Sequence, residues 1–268
     1  MLKRATQLVF SLTLLSSPLA QADMLIDAIA HEGRPVTERL RDEYRHPQQT
    51  LRFFDVQPDM AVAEISPGGG WYSNILAPLL KEKGTYYAAH FYIDENTQDY
   101  YKKARLAFEQ KVAERDGYEK VKLTAFDPVN ALDFAPAGSL DRVLTFRNIH
   151  NWYMQNDDAG VQSAFVAFYQ ALKEGGILGV VEHSLRESQS GELQKTSGYM
   201  KPSYVIAMAE KAGFKLVAQS DVNHNKLDST EHVKGVWTLP PSLSLGDKEL
   251  DKYLAIGESN RMTLKFVK

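Results

Sequence analysis

Apolar residues along the chain follow two alternating patterns. Seven short runs are mostly apolar, as is typical of strands buried in a sheet; they lie at 61–65, 85–89, 121–126, 142–146, 177–182, 215–219 and 262–267. Four segments between them place apolar residues three and four positions apart, as amphipathic helices do; they lie at 73–80, 98–113, 160–172 and 202–211. The alternation predicts an α/β fold with a mostly parallel, seven-stranded sheet and helices on both of its faces.

The N-terminal part of the chain has a different pattern. Three polar stretches with helical spacing, at 24–30, 36–45 and 48–54, precede the first predicted strand. We therefore expect an N-terminal helical cap over residues 23–50, followed by one α/β domain over residues 51–268. Ordinary apolar content over this length supports one well-filled core.

The junction between the first predicted strand and the next helix is a candidate binding loop. The sequence Ser66-Pro67-Gly68-Gly69-Gly70 separates the run 61–65 from the helical segment 73–80. Consecutive glycines permit positive φ angles and let a ligand approach the backbone without meeting a Cβ atom. The first N–H groups of the helix point into the same space. In α/β proteins, a strand, glycine turn and helix in this order are typical of a site for a nucleotide-like ligand.

Residues 1–22 have the three parts of a cleavable secretory signal peptide. Lys3 and Arg4 form a basic start, the apolar stretch 8–15 follows, and Ala20-Gln21-Ala22 offers small residues at a cleavage site. We expect the mature chain to begin at Asp23 and to be exported across an inner membrane into the periplasm. The alternative is that translation starts at Met24.

Composition and short motifs narrow the classes of function. Without residues 1–22 the chain has 29 basic and 34 acidic residues, so no basic surface for nucleic acid is expected. No later segment approaches about 18 consecutive apolar residues, which argues against stable membrane insertion. Cysteine and the HExxH sequence are absent and the seven histidines are scattered, so no metal site is predicted. Ser184 lacks the GxSxG turn of a hydrolase nucleophile, so a hydrolase is not predicted.

Four segments of the chain match motifs of one enzyme family. Glu64 ends a strand and is followed by the glycine turn, with Ser66 where the family's first glycine is commonest. Residues 172–183, LKEGGILGVVEH, resemble the segment of that family in which a helix ends at a glycine pair and the fifth strand begins. Residues 212–214 and 261–268 match the last helix turn and the final strand. From about residue 51 onward the chain resembles the class I S-adenosylmethionine-dependent methyltransferases, and more narrowly a set of exported bacterial predicted methyltransferases.

The resemblance implies S-adenosylmethionine as cofactor and a set of residues that hold it. The implied cofactor-binding residues are Glu64, Ser66, Gly68, Gly69, Gly70, His90 and Asp127. Many relatives place an acid after the second strand, where it accepts hydrogen bonds from the ribose hydroxyls. Here His90 takes that place, and a neutral imidazole can bond one hydroxyl. Asp127 matches an acidic position near the adenine amino group; alternatively it shapes the turn before Pro128.

A nicotinamide dinucleotide is the competing ligand for the glycine turn. Its binding turn requires the sequence GxGxxG, in which the third glycine allows close packing of the helix. In this chain Ser73 stands where that third glycine should be. The sequence therefore favours the methyl donor.

Candidate catalytic residues follow the fourth predicted strand, whose end faces the reactive methyl group in the resembled family. His150 is the candidate general base, because an unperturbed imidazole pKa of about 6.5 suits proton transfer near neutral pH. Asn148 is the candidate for orienting the acceptor. Trp152 and Tyr153 are candidates for the wall of the acceptor pocket. The alternative is that His150 is an ordinary hydrogen-bonding residue.

Further candidates for acceptor binding lie in other parts of the chain. Glu182 and His183 end the fifth predicted strand and are expected to face the same cleft, and Tyr199 lies in a segment that could close over it. An ion pair of Glu182 with a nearby basic residue is the alternative. Tyr44 and Arg45 belong to a donor-rich run that could cap the cofactor pocket, although such runs are usually solvated.

The sequence therefore predicts an exported methyltransferase that uses S-adenosylmethionine. Its acceptor is expected to be a small molecule or a component of the cell envelope, and no nucleic-acid partner is expected. The alternative is a non-catalytic exported ligand-binding protein that retains the glycine pocket. The histidine in place of the ribose-binding acid is compatible with that alternative.

Overall fold

A computed structural model describes residues 18–268, with side chains described from Met24 onward. Most of the predicted signal peptide, residues 1–22, lies outside the described residues. Within the described part of the chain, no helix is long and apolar enough to cross a membrane.

The seven predicted strands are all present, with ends that differ from the predicted ones mostly by one or two residues. The strands are β1 Ala61–Ile65, β2 Thr85–Phe91, β3 Lys122–Phe126, β4 Leu140–Phe146, β5 Leu172–His183, β6 Lys215–Ser220 and β7 Arg261–Val267. The largest difference is in β5, which begins five residues before the predicted start. Its pairing with β4 shifts register between Leu140 and Arg142, so the early residues belong to an irregular extension.

Nine α-helices are found among the described residues. They are α1 Pro18–Ala30, α2 Val36–Arg39, α3 Asp42–Arg45, α4 Pro47–Phe53, α5 Ser73–Leu80, α6 Asp99–Glu114, α7 Ile149–Ala171, α8 Pro202–Lys211 and α9 Leu250–Ile256. Two short 3-10 helices lie at Gly191–Lys195 and Gly235–Thr238. The segment between α6 and β3 and the long segment between β6 and β7 are otherwise irregular.

Helix α7 begins eleven residues before the predicted helix. Its first part, from Ile149, contains His150, Trp152 and Tyr153, and Asn148 is the residue directly before the helix. Asn156 and Asp157 have non-helical backbone angles, so α7 consists of two helical parts joined at a kink. Apolar periodicity detects the second part only, because the first part is rich in polar side chains.

The strand order of the sheet is β3-β2-β1-β4-β5-β7-β6. Strands β1 to β5 pair in parallel, whereas β7 runs antiparallel to both β5 and β6. The order along the sheet reverses between β1 and β4, so the chain leaves these two neighbours in opposite directions. In open α/β sheets, a crevice forms at the carboxyl ends of the strands at such a position.

Each face of the sheet carries its own apolar core. Within β1, Val62 packs in the core that contains α5, whereas its neighbour Ala63 packs in the core that contains α7 and α8. Successive strand residues alternate between faces, which explains how one short apolar run serves both cores. The prediction of helices on both faces is therefore confirmed.

The N-terminal helices share the core on the α5 side. Leu25 of α1 and Leu51 of α4 are both buried there. The predicted division between residues 50 and 51 lies inside α4. The N-terminal helices are thus packed on the sheet domain on the side of α5.

We predict that Gly179→Val destabilises the fold by overpacking. A Cβ atom at Gly179 in β5 would lie 2.7 Å from Phe54 Cγ and 2.8 Å from Leu144 Cδ2, inside the core. Inserting volume into a filled core typically costs about 1–3 kcal/mol, so the free energy of unfolding should fall by about 2 kcal/mol. Urea denaturation measures this value. The control is Gly191→Val, because a Cβ atom at Gly191 meets nothing within 4 Å; equal effects in the two variants would contradict the prediction.

Candidate functional site

Two neighbouring cavities lie at the carboxyl ends of the parallel strands. The smaller has a volume of about 330 Å³ and the larger a volume of about 800 Å³. Ser66, which follows β1, and Asn148, which follows β4, line both cavities. The crevice expected from the strand order is therefore present at the β1/β4 position.

The loop after β1 presents an open backbone to the larger cavity. Ser66 has a φ of 49° and Gly68 a φ of 58°, so both lie in the left-handed region. Gly68 and Gly69 line the cavity, and a Cβ atom at either glycine would meet nothing within 4 Å. This space is occupied by no protein atom and can accept a ligand against the backbone.

Side chains behind the loop hold its carbonyl groups. His90 Nδ1 accepts a hydrogen bond from the Phe91 N–H at 2.8 Å, so its Nε2 carries the proton and donates to the Gly68 carbonyl at 3.0 Å. Lys111 Nζ donates to the Gly69 carbonyl at 2.5 Å. The N–H groups of Gly68 and Gly69 donate to no group among the described residues. Two backbone donors thus remain for a ligand.

This geometry corrects the assignment of His90 to the ribose. Its side chain is fully buried, lines neither cavity and has both ring nitrogens engaged within the protein. Burial lowers the pKa of His90 to about 4, although the hydrogen bond to Gly68 acts in the opposite direction. The ring is therefore neutral and supports the glycine loop from behind.

Two other predicted cofactor residues also face away from the cavities. Glu64 accepts hydrogen bonds from the hydroxyls of Ser73 and Tyr86, at 2.7 and 2.6 Å, in the core on the α5 side. Burial raises the pKa of Glu64 to about 7. A Cβ atom at Gly70 would lie 2.8 Å from the Phe108 ring, so this glycine allows close packing of α6. Direct contact of Glu64 or Gly70 with a ligand is thus not supported.

The smaller cavity contains the polar and aromatic residues that suit a nucleoside. Asp127 lines it, and Asp127 Oδ1 also accepts hydrogen bonds from the N–H groups of Val129 and Asn130, so the turn and the binding interpretations are both compatible with the geometry. Trp152 forms part of the wall. Asp94, which the sequence analysis did not select, lies on the same cavity.

His150 and Glu182 form a buried pair beside the larger cavity. His150 Nδ1 lies 2.9 Å from Glu182 Oε1, and the opposite oxygen accepts from the Ile149 N–H at 2.6 Å. The N–H of His183 donates to Oε1 at 2.8 Å. Because the carboxylate faces these donors, Nδ1 of His150 donates to it, and Nε2 is the ring nitrogen left without a partner among the described residues. His150 lines the cavity, whereas Glu182 lies behind it.

His183 lies next to His150, with ring centroids 5.2 Å apart. Its Nδ1 lies 2.5 Å from the hydroxyl oxygen of Ser259. Burial lowers the pKa of His183 well below its ordinary value, and His150 and the nearby arginines lower it further. Its imidazole is therefore neutral at physiological pH.

Asn148 connects the two strands that flank the crevice. Its Nδ2 donates to the Ile65 carbonyl at 2.8 Å and to the Thr145 hydroxyl at 3.2 Å. Its Oδ1 accepts no hydrogen bond from the described residues. Since Asn148 lines both cavities, this oxygen is available to orient a ligand between them.

Among the described residues, one cluster has the spacing to hold a metal ion: His150, Glu182 and His183. Both oxygens of Glu182 already accept hydrogen bonds from backbone N–H groups. Arg147 and Arg261 also lie near enough to lower the pKa of His183. The nearby arginines and the hydrogen bonds already accepted by Glu182 disfavour a cation at this cluster.

A group of arginines lies beside the glycine loop, and the sequence analysis selected only one of its members, Arg45. Arg41 and Arg45 donate through their Nε atoms to Glu258, at 2.7 Å and 3.1 Å, and Arg261 Nη2 lies 2.9 Å from the same carboxylate. Burial alone would raise the pKa of Glu258, but the arginines, with Arg147 among them, lower it to about 2. Glu258 lies almost two hundred residues from the loop, so no local pattern indicates this contact.

Among the remaining predicted substrate residues, Arg45 lines the larger cavity, whereas Tyr44 and Tyr153 line neither cavity. Arg45 lines the larger cavity and stacks over Trp71, with its guanidinium carbon 4.7 Å from the ring centroid. Tyr44 lies outside both cavities and packs on Gly257. Tyr153 contacts Tyr204, with ring centroids 5.2 Å apart, and does not line a cavity.

Tyr199 also lies away from the cavities. Its side chain is fully buried, and its hydroxyl donates to Asp228 at 2.8 Å. Trp237, which the sequence analysis did not select, covers the larger cavity instead, with its ring centroid 6.1 Å from that of His150. This wall therefore comes from Trp237, in the segment between β6 and β7, rather than from Tyr199, which lies between β5 and α8.

Comparison with known proteins identifies the fold. No family model matches the chain, and no curated protein matches it. Among solved structures, it is similar to a SAM-dependent methyltransferase from Aquifex aeolicus, at 17% identity over 68% of this chain and 87% of that one, with a TM-score of 0.50. It is also similar to the glycopeptide N-methyltransferase MtfA solved with S-adenosyl-L-methionine, at 14% identity over 82% and 85% of the two chains, with a TM-score of 0.50.

A third similar structure is a possible exported protein from Bordetella parapertussis. The identity is 16%, the coverage is 92% of this chain and 79% of that one, and the TM-score is 0.51. At identities of this size the similarity concerns the fold. The chain has the Rossmann-like fold of the class I methyltransferases, as the sequence resemblance implied.

We predict that His90 makes the stability of the fold fall between pH 7 and pH 5. Its pKa is about 4 in the folded protein and about 6.5 when unfolded. The unfolded chain therefore binds the proton more readily, and stability that is present above pH 6.5 is lost as the pH falls toward 4. Over this interval, the free energy of unfolding should fall by about 2 kcal/mol more in the wild type than in His90→Gln.

Urea denaturation at the two pH values measures this difference. The control is His224→Gln, because His224 is exposed and should leave the wild-type pH dependence unchanged. An identical fall in the wild type and in His90→Gln would contradict the buried, neutral state of this ring.

Proposed function

We propose that the protein is an S-adenosylmethionine-dependent methyltransferase. The observation that carries this proposal is the glycine loop, whose Gly68 and Gly69 offer free N–H groups and open space to a cavity at the β1/β4 position. Such a site suits the amino-acid end of an adenosyl amino acid. The fold similarity to a methyltransferase solved with this cofactor supports the same conclusion.

The residues of the two cavities fit the parts of the proposed cofactor. The N–H groups of Gly68 and Gly69 would hold its carboxylate. Asp94 and Asp127 in the smaller cavity supply acceptors for the ribose hydroxyls and the adenine amino group, and Trp152 supplies an apolar wall. This assignment gives Asp94 the role that the resemblance alone gave to the position of His90.

S-adenosylmethionine supplies an electrophilic methyl group when it is bound. The chain must then align an acceptor and remove its proton. We assign proton removal to Nε2 of His150, because Glu182 holds the ring through Nδ1 and leaves Nε2 as the acceptor nitrogen. Asn148 Oδ1 lies between the two cavities and would orient the acceptor. Glu182 is a positioning residue, since it lines neither cavity.

Export to the periplasm is part of the proposal. The signal-like residues 1–22 support it, and a protein described as possibly exported shares the fold. An acceptor in the cell envelope or among small periplasmic molecules would be reached from that compartment. The non-catalytic alternative has less support, because the ordered His150–Glu182 pair beside the cavity is what proton transfer requires.

We predict that Gly68→Val abolishes cofactor binding. The valine side chain would fill the space next to the free backbone N–H groups, and binding of S-adenosylmethionine should fall at least 100-fold by isothermal titration calorimetry. The control is Gly138→Val, because Gly138 has a similar φ of 62° and equally open surroundings but lies outside both cavities. The control accounts for backbone strain, so comparable affinity in both variants would contradict the proposed site.

We predict that His150→Ala lowers turnover far more than it lowers donor affinity. Loss of a general base typically reduces the rate about 100-fold, whereas affinity for S-adenosylmethionine should change less than threefold. Methyl transfer from labelled donor to an envelope extract measures turnover, and calorimetry measures affinity. His224→Ala is the control at an exposed histidine. Turnover equal to that of the wild type would remove His150 from the mechanism.

A further inference from the structure

The walls of the larger cavity carry a surplus of positive charge. Four arginines and three glutamates form or back these walls, which gives a net charge of +1; they are Arg41, Arg45, Arg147, Arg261, Glu38, Glu182 and Glu258. His183 on the same cavity adds no positive charge near neutral pH, because burial and the neighbouring arginines lower its pKa well below the ordinary value. A buried surplus of one sign is unfavourable unless a ligand of the opposite sign completes it.

The hydrogen bonds of the cluster show which arginine is left for a ligand. Glu258 is shared by Arg41, Arg45 and Arg261. Arg147 lines the cavity but forms no salt bridge or side-chain hydrogen bond with any described residue. Nη2 of Arg41 is also buried without an acceptor. The N–H groups of these arginines therefore outnumber the hydrogen-bond acceptors around them at this wall of the cavity.

The proposed methyl donor does not balance this charge. S-adenosylmethionine carries a sulfonium, an ammonium and a carboxylate, so its net charge is +1, and the loop N–H groups already suit its carboxylate. Binding of the donor therefore increases the positive charge of the cavity. The acceptor is the remaining ligand that can supply the missing negative charge.

Another part of the lining of the same cavity is apolar. Val236, Trp237, Pro240 and Pro241 form it, and the Trp237 ring lies close to His150. An acceptor that fits both walls combines a flat apolar part with an anionic group.

Resting on the proposed methyltransferase function, we infer that the acceptor is a small aromatic or similarly flat molecule with a carboxylate or phosphate group. Arg147 binds that anionic group, and Trp237 packs against the apolar part. Arg147 precedes Asn148 and His150 by one and three residues, so an acceptor held there lies beside the proposed base. A guanidinium is suited to this role because it can bind a carboxylate or a phosphate through two parallel N–H donors.

The test compares ligands that differ only in charge. Benzoate and its neutral isostere benzamide are titrated into the purified protein, with phenyl phosphate as the phosphate arm, and tryptophan fluorescence reports binding because Trp71 and Trp237 line the cavity. We expect benzoate or phenyl phosphate to bind at least tenfold more tightly than benzamide. Whichever anion binds more tightly identifies the anionic group of the acceptor.

Two variants test whether Arg147 causes the preference for an anionic over a neutral ligand. Arg147→Met should reduce the anion preference to less than twofold, whereas Arg52→Met, at an exposed arginine outside both cavities, should keep it. Calorimetry with S-adenosylhomocysteine on the same proteins checks the donor site, and its affinity should change less than threefold in Arg147→Met.

Three results would overturn the inference. They are equal binding of charged and neutral ligands, no binding of either anion, and a loss of S-adenosylhomocysteine affinity in Arg147→Met as large as the loss of anion affinity, which would assign Arg147 to the donor. Failure of the methyltransferase proposal is distinguishable, because the wild type would then bind no S-adenosylhomocysteine. An anion preference that persists in that case would support the anion site by itself.

Discussion

The reversal of strand order between β1 and β4 is the constraint on which the candidate site depends. The two strands pair along their length, but α5 after β1 packs on one face of the sheet and α7 after β4 packs on the other. The two connecting loops therefore diverge, and the space between them is the crevice. The Asn148 side chain links the two sides of the crevice, because its Nδ2, in the loop after β4, donates to the carbonyl of the last residue of β1. Every group proposed to contact a ligand lies on one of these loops or on a segment that borders the crevice.

Both loops begin with a residue in an unusual backbone conformation. Ser66 follows β1 with a φ of 49°, and Arg147 follows β4 with a φ of 63°. The N–H of each residue is held by the neighbouring strand, Ser66 by the Ala89 carbonyl and Arg147 by the Val181 carbonyl. A left-handed conformation at a non-glycine residue costs on the order of 1 kcal/mol and persists where the surrounding structure enforces it. Here it turns the chain sharply out of the sheet at the two points where the crevice begins.

The sequence predicts the fold well because periodicity and glycine turns are local signals. All seven strands and the amphipathic helices are present, near their predicted positions apart from the early starts of β5 and α7, and the glycine loop is open. The sequence predicts the site less well because a motif gives a position along a strand but not the contacts of the side chain. Glu64 alternates with Ala63, so it shares the α5 face with Val62, a placement that strand alternation could have indicated. The contact of Glu258 with Arg41 and Arg45 joins distant segments, and no local pattern could have indicated it.

The same arginines connect ligand binding with the protonation of the site. Burial is the main reason that the pKa of His183 lies well below its ordinary value, and Arg147, Arg261 and Arg45 lower it further. An anion bound at Arg147 would cancel part of that positive charge and therefore raise the pKa of His183. His150 lies 5.2 Å from His183 between ring centroids and is exposed to the same field. The imidazole of His183, next to the proposed base, would thus become a better proton acceptor when an anionic acceptor arrives, so the charge that selects the acceptor would also change the surroundings of that base.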